Sequence, residues 1–250
     1  SNANAMIRAG FDEMTHINQV MLGWVLAPEE DTRTLLRLTA LKRLPDLDLE
    51  GEKVKETLDL MVENEVAIDP TLAIHEYLLL SRNGEMRIGV ADYVDHMPAS
   101  FQRGSKVALA QIENDEDDAA YRGAWTQIVD TVKLMKDRGI LILFGTDLGG
   151  AFNLHRELEL YQEVGFSPAE ILKRASYDAA AYLGEADDLG SIADGKLADF
   201  FLVPGDPTAD LKAIKTIALV SRGGVIYFPS EIYPEFAIAP FTDVPPVSGE

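Results

Sequence analysis

The fold class of this chain is decided by the stretch ILILFGTDLGG, residues 140–150. Its first five residues, Ile140 to Phe144, are apolar without alternation, which is typical of a parallel strand covered on both faces. Asp147 follows the strand, and the glycines after it let the chain turn away. Ligands of α/β proteins bind at the carboxyl ends of such strands. The stretch predicts a parallel sheet with a ligand site at Asp147, although a carboxylate in a strand-end turn or helix cap fits the spacing equally well.

Helical and strand-like patterns alternate on both sides of this stretch. Residues 11–16 and 66–72 read as two further strands. Helices are predicted over residues 28–44, 52–66, 119–138, 155–164 and 168–183. Strands that alternate with helices favour a parallel α/β architecture. The acidic run 113–118 reads either as a solvated approach to a helix or as a mobile cover over a site.

The pattern changes after Gly184. Short β-rich stretches at residues 197–203, 216–221 and 225–228 predict a small all-β unit. The tail from Pro229 contains further prolines and is expected to be extended. At the other end, residues 1–5 resemble an expression-tag remnant, and the residues after Met6 read like the middle of a domain.

The composition excludes several classes of function. The 250 residues include 22 basic and 42 acidic side chains, a net charge of −20, and no cysteine. The negative charge disfavours nucleic acid and membranes as partners. The missing thiols exclude disulfide scaffolds, iron–sulfur clusters and cysteine nucleophiles. Neither a nucleotide-binding glycine motif nor a serine-hydrolase motif occurs, and without a signal peptide the expected location is cytoplasmic.

Candidate site residues lie where the predicted strands end. His16 ends the first strand, and Thr71 and His75 follow the second. A neutral imidazole can bind a divalent metal, although a histidine at a strand end is more often a hydrogen-bonded structural residue. His155 and Arg156 open the helix after the third strand, where they would either meet an anionic substrate group or project into solvent.

Four segments together resemble the C-terminal half of the amidohydrolase superfamily. They are AGFDEMTH (9–16), GTDLGG (145–150), LHRELELYQEVGFSPAEILKRASYDAAAYLG (154–184) and LGSIADGKLADFFLVPGDP (189–207). The likeness is to imidazolonepropionase-like and prolidase-like members, and it runs from Met6 to about Tyr227. The last segment is specific, because in that family it marks the return of the chain into a small β-sandwich.

This resemblance implies an α/β fold: a partial (β/α)8 TIM-type barrel, equivalent to strands six to eight, beside the C-terminal strands of a small β-sandwich. The implied ranges are 1–5 for a tag remnant, 6–188 for the barrel, 189–229 for the sandwich strands and 230–250 for an extended tail. Family members hydrolyse their substrates with one or two divalent metals, which lower the pKa of bound water. His16 matches a metal-binding histidine, and Asp147 matches the aspartate that binds metal and takes the proton from the attacking water.

The sequence departs from the family pattern in its histidines. The first strand of family members carries a His-x-His pair, but none of the four histidines here lies two residues from another. A catalytic zinc normally has three protein ligands, so this chain alone is expected to lack the complete metal site. The expected cofactor is a divalent metal in a complete family member, with zinc the first candidate, and none in this chain is the alternative. Three strands leave apolar faces uncovered, so a homo-oligomer or a complementing N-terminal half is the expected partner, beside a small-molecule substrate.

Two functions remain as hypotheses. The first is a metal-dependent amidohydrolase-type hydrolase that acts on the C–N bond of an amide, cyclic amide or dipeptide. Its predicted residues are Asp147 for catalysis, His16 and Asp147 for metal binding, and Thr71, His75, His155 and Arg156 for substrate binding. The second hypothesis is a non-catalytic remnant that acts as an oligomerising or structural module.

Overall fold

Short parallel strands and longer helices alternate in a computed structural model of the chain, which describes residues 2–246. The strands are β1 (Glu13–Thr15), β2 (Ala67–Asp69), β3 (Phe200–Leu202), β4 (Leu219–Arg222) and β5 (Val225–Tyr227). The helices are α1 (Ala3–Arg8), α2 (Ile17–Val25), α3 (Leu36–Thr39), α4 (Glu52–Glu63), α5 (Leu72–Leu80), α6 (Ala99–Gly104), α7 (Asp115–Asp137), α8 (Ala151–Glu163), α9 (Pro168–Lys173), α10 (Ala179–Tyr182) and α11 (Pro229–Ile232). Helical turns of the 3-10 type cover Ala40–Asp46, Ile88–Val90, Val94–His96, Leu211–Lys215 and Tyr233–Phe236, and a π-helical turn covers Arg174–Asp178.

Three segments that are distant in sequence lie side by side and run parallel. Strands β1 and β2 pair in parallel, with Met14 opposite Ile68. Ile68 also forms a parallel bridge to Ile142. The sequence predicts a full strand covered on both faces at Ile140 to Phe144, but the structure forms only this bridge. Ile140 and Ile142 on one face are buried, whereas Leu141 and Leu143 on the opposite face are only half-buried, so the segment is covered mainly on one side.

Helix α7 organises the main apolar core. It starts at the acidic run, where the Asp117 N–H donates to the side chain of Asn114 (2.9 Å). Asp117 forms an ion pair with Lys42, and Asp118 forms one with Arg82. The run is therefore an approach to α7 with residues 113–116 exposed, as the first interpretation predicts, and its last two aspartates are anchored to neighbouring elements. Along its length α7 contacts α5 and the turn at Ala40–Asp46.

Two predicted helices are interrupted. Over residues 28–44 only the four residues of α3 are α-helical, and Pro45 belongs to the tighter turn that follows. The helix predicted over 168–183 begins with a capping box at Ser167 and Glu170 and is divided by the π-helical turn. Apolar spacing finds such helices but does not reveal how their hydrogen bonds shift.

The region after Gly184 forms a three-stranded antiparallel sheet in the order β3-β4-β5. Its outer strands are largely exposed, with Ile226 49% accessible. The predicted extended tail is wrong at its start, because Pro229 and Pro234 open short helical turns, for which a fixed φ is suited. Farther on, Phe241 stacks on the ring of His96 with centroids 3.9 Å apart.

The first helix begins inside the five residues that resemble a tag remnant. The N–H of Ala5 donates to the side chain of Asn2 (3.0 Å), and Ala3 is buried. Among the described residues, no helix combines the length and the apolar character that crossing a membrane requires.

Candidate active site

The residues that follow the three parallel segments share an unusual backbone conformation. His16 has a φ of 67°, Thr71 one of 52° and Asp147 one of 50°. Positive φ is uncommon outside glycine, and for a β-branched residue such as Thr71 it is an outlier. Each such residue costs about 1–3 kcal/mol and persists only where the surrounding structure holds it, typically at a functional site. The strand ends are therefore held in a defined conformation.

Thr71 connects two of the histidines. Its hydroxyl donates to the Pro70 carbonyl (2.8 Å), so its lone pair is free to accept from Nδ1 of His16, 3.0 Å away. Its carbonyl accepts from Nδ1 of His75 (2.8 Å). This network assigns a proton to Nδ1 of both rings and leaves a lone pair on each Nε2. Thr71 therefore presents two imidazoles in the tautomer whose Nε2 lone pair can bind a cation.

His16, His75 and Asp147 line one cavity of about 300 Å³. The other lining residues are Asn18, Gln19, Leu35, Arg37, Leu38, Ile74 and Leu78. Burial lowers the pKa of His75 to about 4, so its imidazole is neutral near pH 7. Asp147 is exposed at the cavity. The structure thus brings four of the predicted residues together: His16, His75 and Asp147 line the cavity, and Thr71 is hydrogen-bonded to both imidazoles.

A buried and a half-buried carboxylate, Glu157 and Asp69, fix the backbone that carries the cavity. Glu157 is completely buried, and its oxygens accept from the N–H groups of Leu72 (2.9 Å) and Ala73 (2.6 Å) at the start of α5. Burial raises the pKa of Glu157 to about 8. Asp69 accepts from the N–H groups of Thr71 and Gly145 (3.1 and 3.0 Å).

The sequence analysis does not identify either of these carboxylates. One signal was available for Asp69. A Cβ at Gly145 would overlap the Asp69 carboxylate, so the glycine before Thr146 marks a close approach of two strands.

His155 and Arg156 lie elsewhere. The Arg156 guanidinium donates to both oxygens of Glu76 (2.5 and 3.0 Å) and to Glu159 (3.2 Å). His155 is buried, and burial together with the charge of Lys215 lowers its pKa to about 4. Neither residue lines the cavity of His16 and Asp147: Arg156 lies in a buried ionic cluster, and His155 packs edge-on against the ring of Phe152.

The described residues do not form a complete binding site for a divalent metal. Within residues 2–246, no group of three or more imidazole and carboxylate side chains lies close enough to hold a metal ion. His16 and Asp147 have suitable donor atoms and share the cavity, but a catalytic zinc normally requires a third protein ligand. The residues present therefore supply part of a metal site at most.

Comparison with known proteins gives a family and a fold. The model of the amidohydrolase family matches residues 35–227. A Xaa-Pro dipeptidase with methionine bound in its active site is similar in structure, with a TM-score of 0.55 and 22% identity over 90% of this chain and 42% of its own. An ochratoxinase of A. niger matches with a TM-score of 0.54 and 18% identity over 90% of this chain and 39% of its own. A prolidase complexed with N-methylphosphonate-L-proline matches with a TM-score of 0.50 and 18% identity over 91% of this chain and 44% of its own.

These matches indicate a TIM-barrel-like α/β fold. The chain spans about two fifths of the length of these solved structures, 42%, 39% and 44%. No curated protein matches the chain.

Proposed function

Because the chain belongs to the amidohydrolase family, we propose that it carries part of the active site of a hydrolase that cleaves a C–N bond of an amide, cyclic amide or dipeptide. The observation that carries the proposal is the shared cavity of His16, His75 and Asp147 at the ends of parallel segments. Carboxyl ends of barrel strands are where such folds bind their substrates. The dipeptidase and the prolidase among the similar structures support a dipeptide as the first substrate to test.

Within this proposal each cavity residue has a role. The Asp147 carboxylate takes the proton from the attacking water. Thr71 fixes the tautomers of His16 and His75, and neutral His75 borders the substrate. His16 and Asp147 are the ligands that the chain offers to a divalent metal, zinc first, which polarises the substrate carbonyl when bound. The remaining ligands then come from outside the described residues.

The proposal also includes a partner. We expect the chain to associate with a second copy or with a complementing half of a barrel, because β3 and β5 present free edges and exposed apolar residues such as Phe201 and Ile226. In this arrangement 6–188 is the barrel part and 189–229 the sandwich part. Size-exclusion chromatography with light scattering tests it, and a monomer at every concentration would contradict it.

Hydrolysis and metal content test the site. Purified chain, and chain purified in its natural assembly, are assayed with dipeptides after loading with zinc. Asp147→Asn keeps a side chain that tolerates positive φ, and it should reduce hydrolysis at least a hundredfold, the scale of a lost general base. His16→Asn should lower bound zinc, whereas Asp187→Asn, at an exposed position, should change neither.

Unchanged hydrolysis in Asp147→Asn would refute the assigned role. A stable assembly without any hydrolysis would instead support the second hypothesis, a structural module, which no observation in the structure favours.

A further inference from the structure

The cavity of His16 and Asp147 is also lined by apolar side chains and by one cation. Four apolar side chains, Leu35, Leu38, Ile74 and Leu78, line it together with Arg37. Leu35 is 79% exposed, so the apolar wall reaches the mouth of the cavity. An apolar wall with few polar groups is the usual construction of a small-molecule site, in which the polar groups fix the orientation of the ligand.

Arg37 is an exposed cation without a partner in the part of the chain that the structure describes: it forms no ion pair and no side-chain hydrogen bond there. The other arginines of the same segment are engaged. Arg33 binds Asp31 (2.8 Å), and Arg43 binds both oxygens of Glu30 (2.8 and 2.7 Å). A guanidinium without a carboxylate partner keeps its donors available to a ligand. Its fork of donors matches a carboxylate in two parallel hydrogen bonds.

The overall negative charge of the chain bears on what Arg37 can bind. A net charge of −20 repels any anion that approaches the cavity. The Asp147 carboxylate on the same cavity adds to that repulsion. An anionic substrate would therefore need a cation at the site, and Arg37 is the only lysine or arginine among the residues that line this cavity.

We propose that Arg37 is a specificity-determining residue that binds the free carboxylate of the substrate. The apolar wall then contacts the side chain next to that carboxylate, and the C–N bond lies toward His16 and Asp147. The substrate class is an N-acyl amino acid or a dipeptide with an apolar C-terminal residue. A volume of about 300 Å³ suits a molecule of this size. The orientation of the bond rests on the proposed function, whereas the carboxylate contact does not.

Binding measured by calorimetry at low ionic strength tests the contact without requiring turnover. The probes are N-acetyl-L-leucine and N-acetyl-L-leucinamide, which differ in the carboxylate. The wild-type protein should prefer the carboxylate form about tenfold, the scale of one charged hydrogen-bonded contact. Arg37→Gln should remove this preference and leave the amide unchanged, and Arg37→Lys should restore part of it. Arg33→Gln, a matched change in the same segment, should behave like the wild type.

Equal binding of both probes by the wild type, no binding of either, or an unchanged preference in Arg37→Gln would overturn the proposal. Binding tests the carboxylate contact, whereas hydrolysis tests the proposed function. Selective binding that depends on Arg37, without cleavage of N-acetyl-L-leucine or of a leucine dipeptide by the zinc-loaded natural assembly, would keep the carboxylate site and reject the proposed function. Circular dichroism confirms that each variant is folded.

Discussion

Glu157 links the candidate site to the helix that carries His75. Its two oxygens satisfy the first two N–H groups of α5, directly after the positive-φ residue Thr71. These N–H groups have no partner within the helix, so an acceptor must come from elsewhere. The carboxylate is completely buried, and burial raises its pKa from 4.5 to about 8. A single side chain therefore makes this helix start sensitive to pH.

The sign of the effect follows from proton binding. The folded state holds a proton on Glu157 between pH 4.5 and about 8, whereas the unfolded state has released it. The stabilisation is fully present below pH 4.5 and is lost as the pH rises toward 8. The free energy of unfolding should fall across this range by up to about 1.4 kcal/mol per pH unit from this group. Urea unfolding of the wild type and of Glu157→Gln, which cannot titrate, isolates the contribution.

Glu157→Gln should also destabilise the protein by about 1–3 kcal/mol at pH 5, because the hydroxyl oxygen of the protonated acid can still accept from the second helical N–H, whereas an amide nitrogen cannot. Glu185→Gln is the control, since that side chain is exposed. Parallel pH profiles for the wild type and Glu157→Gln would contradict the assignment.

Sequence reasoning recovers the residues at strand ends and misses those behind them. His16, Thr71 and Asp147 are visible because an apolar run ends beside each of them. Glu157 stands within an ordinary helical pattern, and nothing in its spacing shows that it caps another helix 84 residues away. For Arg156, sequence reasoning predicts a ligand contact from its position near a strand end. Its observed partners are the buried carboxylates of Glu76 and Glu159.

At the scale of elements, glycine usually takes the positive-φ position after a helix, and one helix of this chain has a glutamate there instead. Helices α7 and α8 end at Gly139 and Gly165, both at positive φ, with the next N–H bonded back five residues. Helix α4 ends in the same way, with Val66 donating to Met61 (2.9 Å), but the residue at positive φ is Glu65. A side chain in this conformation costs roughly 1–2 kcal/mol.

Glu65→Gly should therefore stabilise the protein. The relief of strain exceeds the added backbone entropy of glycine, roughly 0.5–1 kcal/mol, so the net gain should be about 0.5–1 kcal/mol. Gly139→Ala is the matched control in the opposite direction, because no atom would touch the new Cβ and only the positive φ opposes it. Thermal unfolding of both variants measures the pair. A lower midpoint for Glu65→Gly would contradict the argument.

Element positions follow from sequence better than their internal geometry. The helices predicted to end at residues 138 and 164 end at Asp137 and Glu163, one residue earlier in each case. The π-helical turn at Arg174–Asp178 and the single bridge at Ile142 depend on which neighbours each segment meets, and that information is not local.

On the scale of the whole molecule, a buried lysine joins the C-terminal region to the helices. Lys215 is 5% exposed, donates to Asp92 (2.8 Å) and lies 2.5 Å from an oxygen of Glu159 in α8, as an ion pair without hydrogen-bond geometry. Lys212 reaches the same Asp92 but is 63% exposed. Buried pairs are costly to break because the remaining charge loses its partner.

Lys215→Met should lower the free energy of unfolding by about 1.5–3 kcal/mol, the scale of a lost hydrogen bond to a charged group, because Glu159 keeps Arg156 and Asp92 keeps Lys212 as partners. Lys212→Met should change it by less than about 1 kcal/mol, because an exposed pair contributes little. Urea unfolding followed by circular dichroism measures both. Similar losses in the two variants would show that the burial of Lys215 is not what gives the contact its strength.

The left-handed backbone at the three strand ends also limits how this cavity can diversify. Random replacement of His16, Thr71 or Asp147 would introduce mostly residues that disfavour that backbone, so many library members would lose their fold before their ligand preference changed. Gln19 and Arg37 stand on ordinary helical backbone and accept new side chains more readily. Selection for new specificities should accordingly act first on the rim of the cavity and leave its floor nearly constant.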